Sequence, residues 1–419
     1  MGPVVIFDKS ALQGLNMDES VWFEVFFSAN IVPLFYVETL ADLEKDMPPD
    51  RSAESLVGML AAKTPADAQP SVHHRQLILA ELAGYQVPMT GVGVIAEGEA
   101  RQQPDGKRGL HVGVSAEAEA LARWREKNFS ELERLGARSW RSELAEHHNS
   151  PLVEGLAPML PDGISNLEQL KAFIDSFCAT DDPQAFALAL QVLGVPEDQG
   201  GGARRRWDAA GRPHLDEFLP YAVHVFKVEL LFYLGAGRGF ISGERSSNKV
   251  DMAYLYYLPF CMVFTSGDRL HQRTAPLFMR PDQSFLGAQE LKEAMRELDD
   301  HYEQLPDAIK ERGAMVFARW PPTDLDNALT RLWDLHMPQD WREHARRAES
   351  PLADPIDFEA GRKTVADLEE ELASAQPVSE EVAGAVDADP DYVVIKRWVP
   401  ATKGRWRIVP PEAEATLED

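Results

Sequence analysis

Two short apolar runs, each ending on an acid, constrain this chain more than any other feature. VVIFD spans 4–8 and CMVFTSGD spans 261–268. A run of four apolar residues rich in β-branched side chains is short for a helix and reads as a buried strand. Helix-like patterns follow each run at once, KSALQGL after Asp8 and RLHQRTAPLFM after Asp268. Strand, acid, helix is the grammar of an α/β fold, in which ligand crevices lie outside the carboxyl ends of the strands. The chain is therefore expected to form a parallel sheet of about four or five strands flanked by helices.

Between the two runs the texture changes. MDESVWFEVFFSAN (17–30) reads as a helix whose Trp and Phe side chains are core. IVPLFYVETLADLEK (31–45) reads as a short strand entering a helix, with Glu38 near its start. The prolines of DMPPDRS (46–52) break that pattern. Residues 50–213 read as a mainly helical insertion, with helix candidates at 53–62, 115–146 and 165–179 and loops at 101–109 and 197–213. The Gly-Gly-Gly of the second loop is followed by no Gly-Lys-Ser/Thr, so no phosphate loop is indicated. HLDEFLPYAVHVFKVELLFYLGAG (214–237) reads as a helix stopped near Gly235, and SNKVDMAYLYYLPF (247–260) as another. The expected units are 1–49 with 214–285 as the sheet domain, 50–213 as the insertion, 286–345 as a helical extension and 346–419 as an acidic linker and tail. In that tail YVVIKRWVP and GRWRIVPP look like the arms of a hairpin.

Composition narrows the functional classes. With 44% hydrophobic residues among 419, the chain can bury a real core. No apolar run is long enough to cross a bilayer and the first ten residues lack a signal-peptide pattern, so no membrane partner and a cytoplasmic location are expected. Two cysteines, Cys178 and Cys261, suit a reducing compartment and exclude a cysteine-rich zinc site. A net charge of −26 argues against gripping nucleic acid with the whole surface. Any such contact must be local, or metal must offset the acids, or a protein partner or second copy must help.

Four acids stand out by position: Asp8 and Asp268 after the two strands, Glu38 on the second strand–helix unit, and Asp251 on a helix whose apolar face carries Tyr254, Leu255 and Leu258. Each alone has a plainer reading, as a helix cap, a first-turn acid or a solvated residue. Gathered in one crevice they would repel strongly without a cation. An all-oxygen set of this size suits Mg²⁺ or Mn²⁺, and such sites serve phosphodiester hydrolysis without a nucleophilic side chain. Lys249, Arg269 and Arg273 are candidates to meet phosphates. Asp42, RRRW (204–207), His73–His74, His147–His148 and His271 read as surface, loop or capping residues.

FDKSALQGL resembles the first motif of PIN-like nuclease domains, where an Asp followed two residues later by Ser or Asn ends the first strand. PLFYVETLADL resembles the second motif, with its Glu, and NKVDMAYLYYLPFCMVFTSGDRLH resembles the closing pair. The resemblance covers about 75 residues in two blocks, 1–45 and 247–279, and implies a three-layer PIN-like fold. It implies metal-site acids at Asp8, Glu38, Asp251 and Asp268, with Ser10 and Ser266 as hydroxyl partners. It further implies a metal-dependent nuclease acting on RNA ahead of DNA, or a catalytically inactive binding or scaffold protein that kept the fold. The 212 residues between Glu38 and Asp251 depart from the small size of such domains. A phosphatase of the haloacid-dehalogenase kind would need an Asp where Ser10 stands.

Overall fold

The computed structural model describes residues 2–411 apart from 46, 48–51, 67, 95–97, 147–155, 157–159, 162, 243–246, 350–372, 379–390 and 396–398. Its strands, in chain order, are β1 (Val4–Phe7), β2 (Ser28–Ile31), β3 (Gln69–Pro70), β4 (Gly98–Gln102), β5 (Arg108–Val112), β6 (Val263–Ser266), β7 (Ser284–Gly287), β8 (Gln376–Pro377), β9 (Tyr392–Ile395), β10 (Thr402–Lys403) and β11 (Trp406–Arg407).

The main sheet has five strands in the order β3-β2-β1-β6-β7, and every pairing is parallel. Parallel sheets are covered on both faces, so their inner strands carry unbroken apolar runs. Val5, Ile6, Val263 and Phe264 are accordingly fully buried. The chain leaves β1 toward one side of the sheet and β6 toward the other. The β1–β6 seam is thus a topological switch point, where open α/β sheets form their crevice. Val5 pairs with Val263, Ile6 with Phe264 and Phe7 with Thr265. The Asp8 amide extends the ladder to the Thr265 carbonyl at 3.2 Å, which sets Asp8 level with the Ser266–Asp268 turn.

Several expectations need correcting. The second strand begins at Ser28, before the expected Ile31, because the Met17–Phe26 helix ends earlier. The main sheet takes its edge strand β3 from within 50–213; Pro70 sits at that edge, where its missing N–H is tolerated. The 101–109 loop is the tip of the β4–β5 hairpin. The 197–213 loop is mostly a helix, Glu197–Ala209, and it buries Trp207 against Phe186 at 4.9 Å. Among the described residues the two apolar segments of the tail do not pair with each other. β9 runs parallel to β5 in a second sheet ordered β8-β4-β5-β9, and the tail's tight hairpin is β10–β11. Among the described residues no helix is long and apolar enough to cross a membrane.

Trp22 anchors the helices behind the sheet. It stacks on Tyr302 at 4.4 Å and meets Trp406 edge-on at 4.8 Å. The indole N–H groups of Trp22 and Trp406 both donate to Asp299 Oδ1, at 3.0 and 2.7 Å, so two buried aromatics share one acceptor. The β10–β11 hairpin is therefore fastened to the sheet domain. Its Lys403 reaches Glu24 Oε2 at 2.7 Å, with side-chain exposures of 5% and 2%. Removing one partner of a buried pair leaves an uncompensated charge. Lys403→Ala is expected to cost about 3–5 kcal/mol in urea unfolding, and Lys403→Met with Glu24→Leu to recover most of that loss.

Candidate active site

Asp8 follows β1 with an extended backbone and caps the Lys9–Gly14 helix, accepting from the Ala11 amide at 2.9 Å. The capping reading is therefore true, and it is not the whole role. Ser10 Oγ lies 2.7 and 2.8 Å from the two carboxylate oxygens, and Ser266 Oγ donates to Oδ2 at 2.6 Å. His271 Nδ1 lies 3.3 Å from the same Oδ2. Burial opposes the charge on Asp8, yet His271 and the two hydroxyls outweigh it and hold the carboxyl below its ordinary value. The Gly267 amide donates to Ser10 Oγ at 2.8 Å, tying the two acid-bearing turns together.

His271 is the residue that sequence reasoning missed. It is fully buried, so it is neither a surface nor a capping histidine. Its charge follows from the ionised state of Asp8. Nε2 faces the Asp251 carbonyl at 2.6 Å and must carry a hydrogen. The Ser266 hydroxyl spends its one hydrogen on Asp8 and accepts from the Asp268 amide at 2.9 Å. Nδ1, 2.7 Å from that hydroxyl oxygen, must then donate as well. The ring is an imidazolium. Burial works against it, but the Asp8 carboxylate and the Asp251 charge and carbonyl push its pKa up to about 9. Ser266, His271 and Asp8 do meet, yet not as a hydrolase triad. Ser266 is fully buried, and both oxygens crowd the same ring nitrogen.

The other three acids approach from different elements. Glu38 sits on the Pro33–Leu40 helix and accepts from Tyr254 OH at 2.8 Å, with Lys9 Nζ 3.6 Å away. Burial above all raises its pKa, against the pull of Lys9. Asp268 caps the Arg269–Thr274 helix through one oxygen, accepting from the Leu270 amide at 2.6 Å. Asp251 lies on the Ser247–Tyr254 helix, and its side chain accepts no hydrogen bond among the described residues. Burial, followed by the like charges of Asp268, Glu38 and Asp8, pushes its pKa up to about 7, although His271 pulls the other way. Asp251 thus lies within electrostatic reach of the other three acids, and it is the least compensated.

The donor chemistry decides what such a cluster can hold. A carboxylate offers about four acceptor sites. Those of Asp8 are taken by Ser10, Ala11, Ser266 and His271. Asp251, the second oxygen of Asp268 and Glu38 keep acceptor capacity. Among the described residues no three His, Cys, Asp or Glu side chains stand ready as direct metal ligands. Mg²⁺ usually keeps several waters and takes one or two carboxylates, so these residues suit a hydrated hard cation rather than a fully protein-caged one.

The remaining candidates divide. Lys249 turns away, pairing with Glu229 and lying 4.7 Å over the Tyr233 ring. Arg273 donates to the Phe240 carbonyl at 3.2 Å. Arg269 is exposed beside Asp268. Asp42 is buried and paired with Lys9 at 3.1 Å, not solvated. Trp207 of RRRW is core, with Arg204 over its ring, and offers no stacking platform. His73 is exposed; His74 is partly buried against Tyr256. His147 and His148 lie outside the described residues.

No family model matches this chain, and neither a curated protein nor a solved structure matches it.

Opposite pH signatures follow from the two kinds of shift. His271 is raised from 6.5, so its contribution is complete below that value and lost as pH rises through about 9. Asp8 is depressed from 3.8, so its contribution holds above that value and is lost in acid. Asp251 is an acid raised to about 7: its penalty is absent below 3.8 and complete above about 7. Asp251→Asn should therefore raise thermal stability near pH 8, by about 2–4 kcal/mol, and leave it unchanged near pH 4. Equal effects at both values would contradict this assignment.

Proposed function

We propose that this chain is a Mg²⁺- or Mn²⁺-dependent nuclease of the PIN-like kind, hydrolysing phosphodiester bonds in RNA ahead of DNA. The observation that carries the reading is the position of Asp8 and Asp268 at the carboxyl ends of the neighbouring parallel strands β1 and β6, with Asp251, the least compensated acid, beside them. A bound divalent cation would acidify water and neutralise charge developing on the phosphate oxygens. Asp251 and Asp268 would hold that cation with help from Glu38. Asp8, locked by Ser10, Ser266 and His271, would fix the two turns that carry it. Arg269, exposed beside Asp268, would meet a phosphate.

The net charge of −26 confines contact with nucleic acid to this crevice and its rim. Both cysteines are free and buried, which suits a cytoplasmic protein. One observation favours the inactive-scaffold reading: His271 already neutralises Asp8 from within. The two readings part on a single assay. Cleavage of end-labelled single-stranded RNA should require Mn²⁺ or Mg²⁺ and stop in chelator. Asp251→Asn and Asp268→Asn should each lower the rate by at least about 100-fold without melting below the parent near pH 6. Variants that cut like the parent would refute the site, and a parent that never cuts would leave the scaffold.

A further inference from the structure

A second site adjoins the acid cluster. The Ser247–Tyr254 helix carries Asp251 on one side, and on the other Lys249, Val250 and Ala253 line a cavity of about 360 Å³. That volume lies at the small end of the usual range for small-molecule sites. Its walls are mainly apolar, supplied by residues such as Leu34, Ile78 and Val225. Against that apolar lining stands a buried polar end: Lys249 and the Tyr256 hydroxyl both bind the Glu229 carboxylate. The Tyr256 and His74 rings lie 4.8 Å apart and give the cavity an aromatic flank. Burial holds His74 down to about 3, so this flank is neutral. Arg75 is exposed at the mouth and spends one guanidinium nitrogen on the Gly194 carbonyl at 3.2 Å.

We propose that this cavity is a nucleotide-binding site, taking the base of a nucleoside monophosphate with its phosphate on Arg75. A fatty chain would set methylenes against a charged pair. A heteroaromatic base fills the apolar walls and brings its own donors and acceptors to Glu229 and Lys249. Glu229 accepts from two groups and retains lone pairs for an exocyclic amine. The guanidinium fork of Arg75 suits a phosphate geometrically as well as electrostatically. The inference does not need the nuclease reading, since it uses none of the four acids.

Calorimetric titration of the full chain with AMP, GMP, CMP and UMP in chelator tests it. At least one nucleotide should bind with Kd below about 1 mM, and ribose 5-phosphate should not. Arg75→Glu, an exposed change, should weaken binding about tenfold or more. Leu193→Trp, at the partly exposed wall, should do so by filling the space. No saturation by any nucleotide up to about 10 mM overturns the proposal, as does ribose 5-phosphate binding equally well, or parent-like binding by both variants. A parent that cuts RNA yet binds no nucleotide here would lose this site alone. One that binds nucleotide but cuts nothing would lose the nuclease reading alone.

Discussion

The pairing of β1 with β6 is the constraint on which the rest depends. The two strands are more than 250 residues apart in sequence, yet their register brings Phe7 beside Thr265. A slip of one residue would reverse every side chain on the seam. Because the seam is buried on both faces, apolar packing fixes that register without help from the polar groups at its end. The acids are therefore held by a sheet that does not depend on their charge. That separation lets a fold carry a cluster of like charges in a partly buried crevice.

Within the crevice the charge is compensated unevenly. Asp8 receives hydroxyls, an amide and an internal imidazolium, whereas Asp251 receives burial and the fields of three other acids against the pull of His271 alone. Pairs of titratable groups pushed apart in this way mark acid–base assignments in functional sites. Here the two carboxyls are held on opposite sides of their ordinary value. The same short helix that presents Asp251 also forms a wall of the neighbouring cavity, so the two sites share a structural element.

Much of this was legible in the sequence, for identifiable reasons. VVIF and CMVF are unbroken apolar runs, and the strands Val4–Phe7 and Val263–Ser266 coincide with the first and overlap the second. Ser10 and Ser266 sit two residues from their acids, and both hydroxyls do bind Asp8. The histidine was not legible. A lone His271 in RLHQR carries no local signal, because its partners Asp8 and the Asp251 carbonyl come from distant segments. EDQGGGARRRW read as a loop because glycine opposes helix; burial of Trp207 under Phe186 overrode that propensity. Lys249 looked like a phosphate ligand until its helix turned it toward Glu229. The tail's apolar segments suggested a hairpin, but β9 found its partner in β5. Long-range pairing of this kind has no signature in a local window.

If the acids that keep acceptor capacity seat a hard divalent cation, anomalous diffraction from crystals soaked in Mn²⁺ will show a peak within coordination distance of Asp251 or Asp268, with Glu38 facing it and Asp8 behind, still bound to His271. No peak in the crevice under conditions that load Mn²⁺ elsewhere on the surface would contradict that reading.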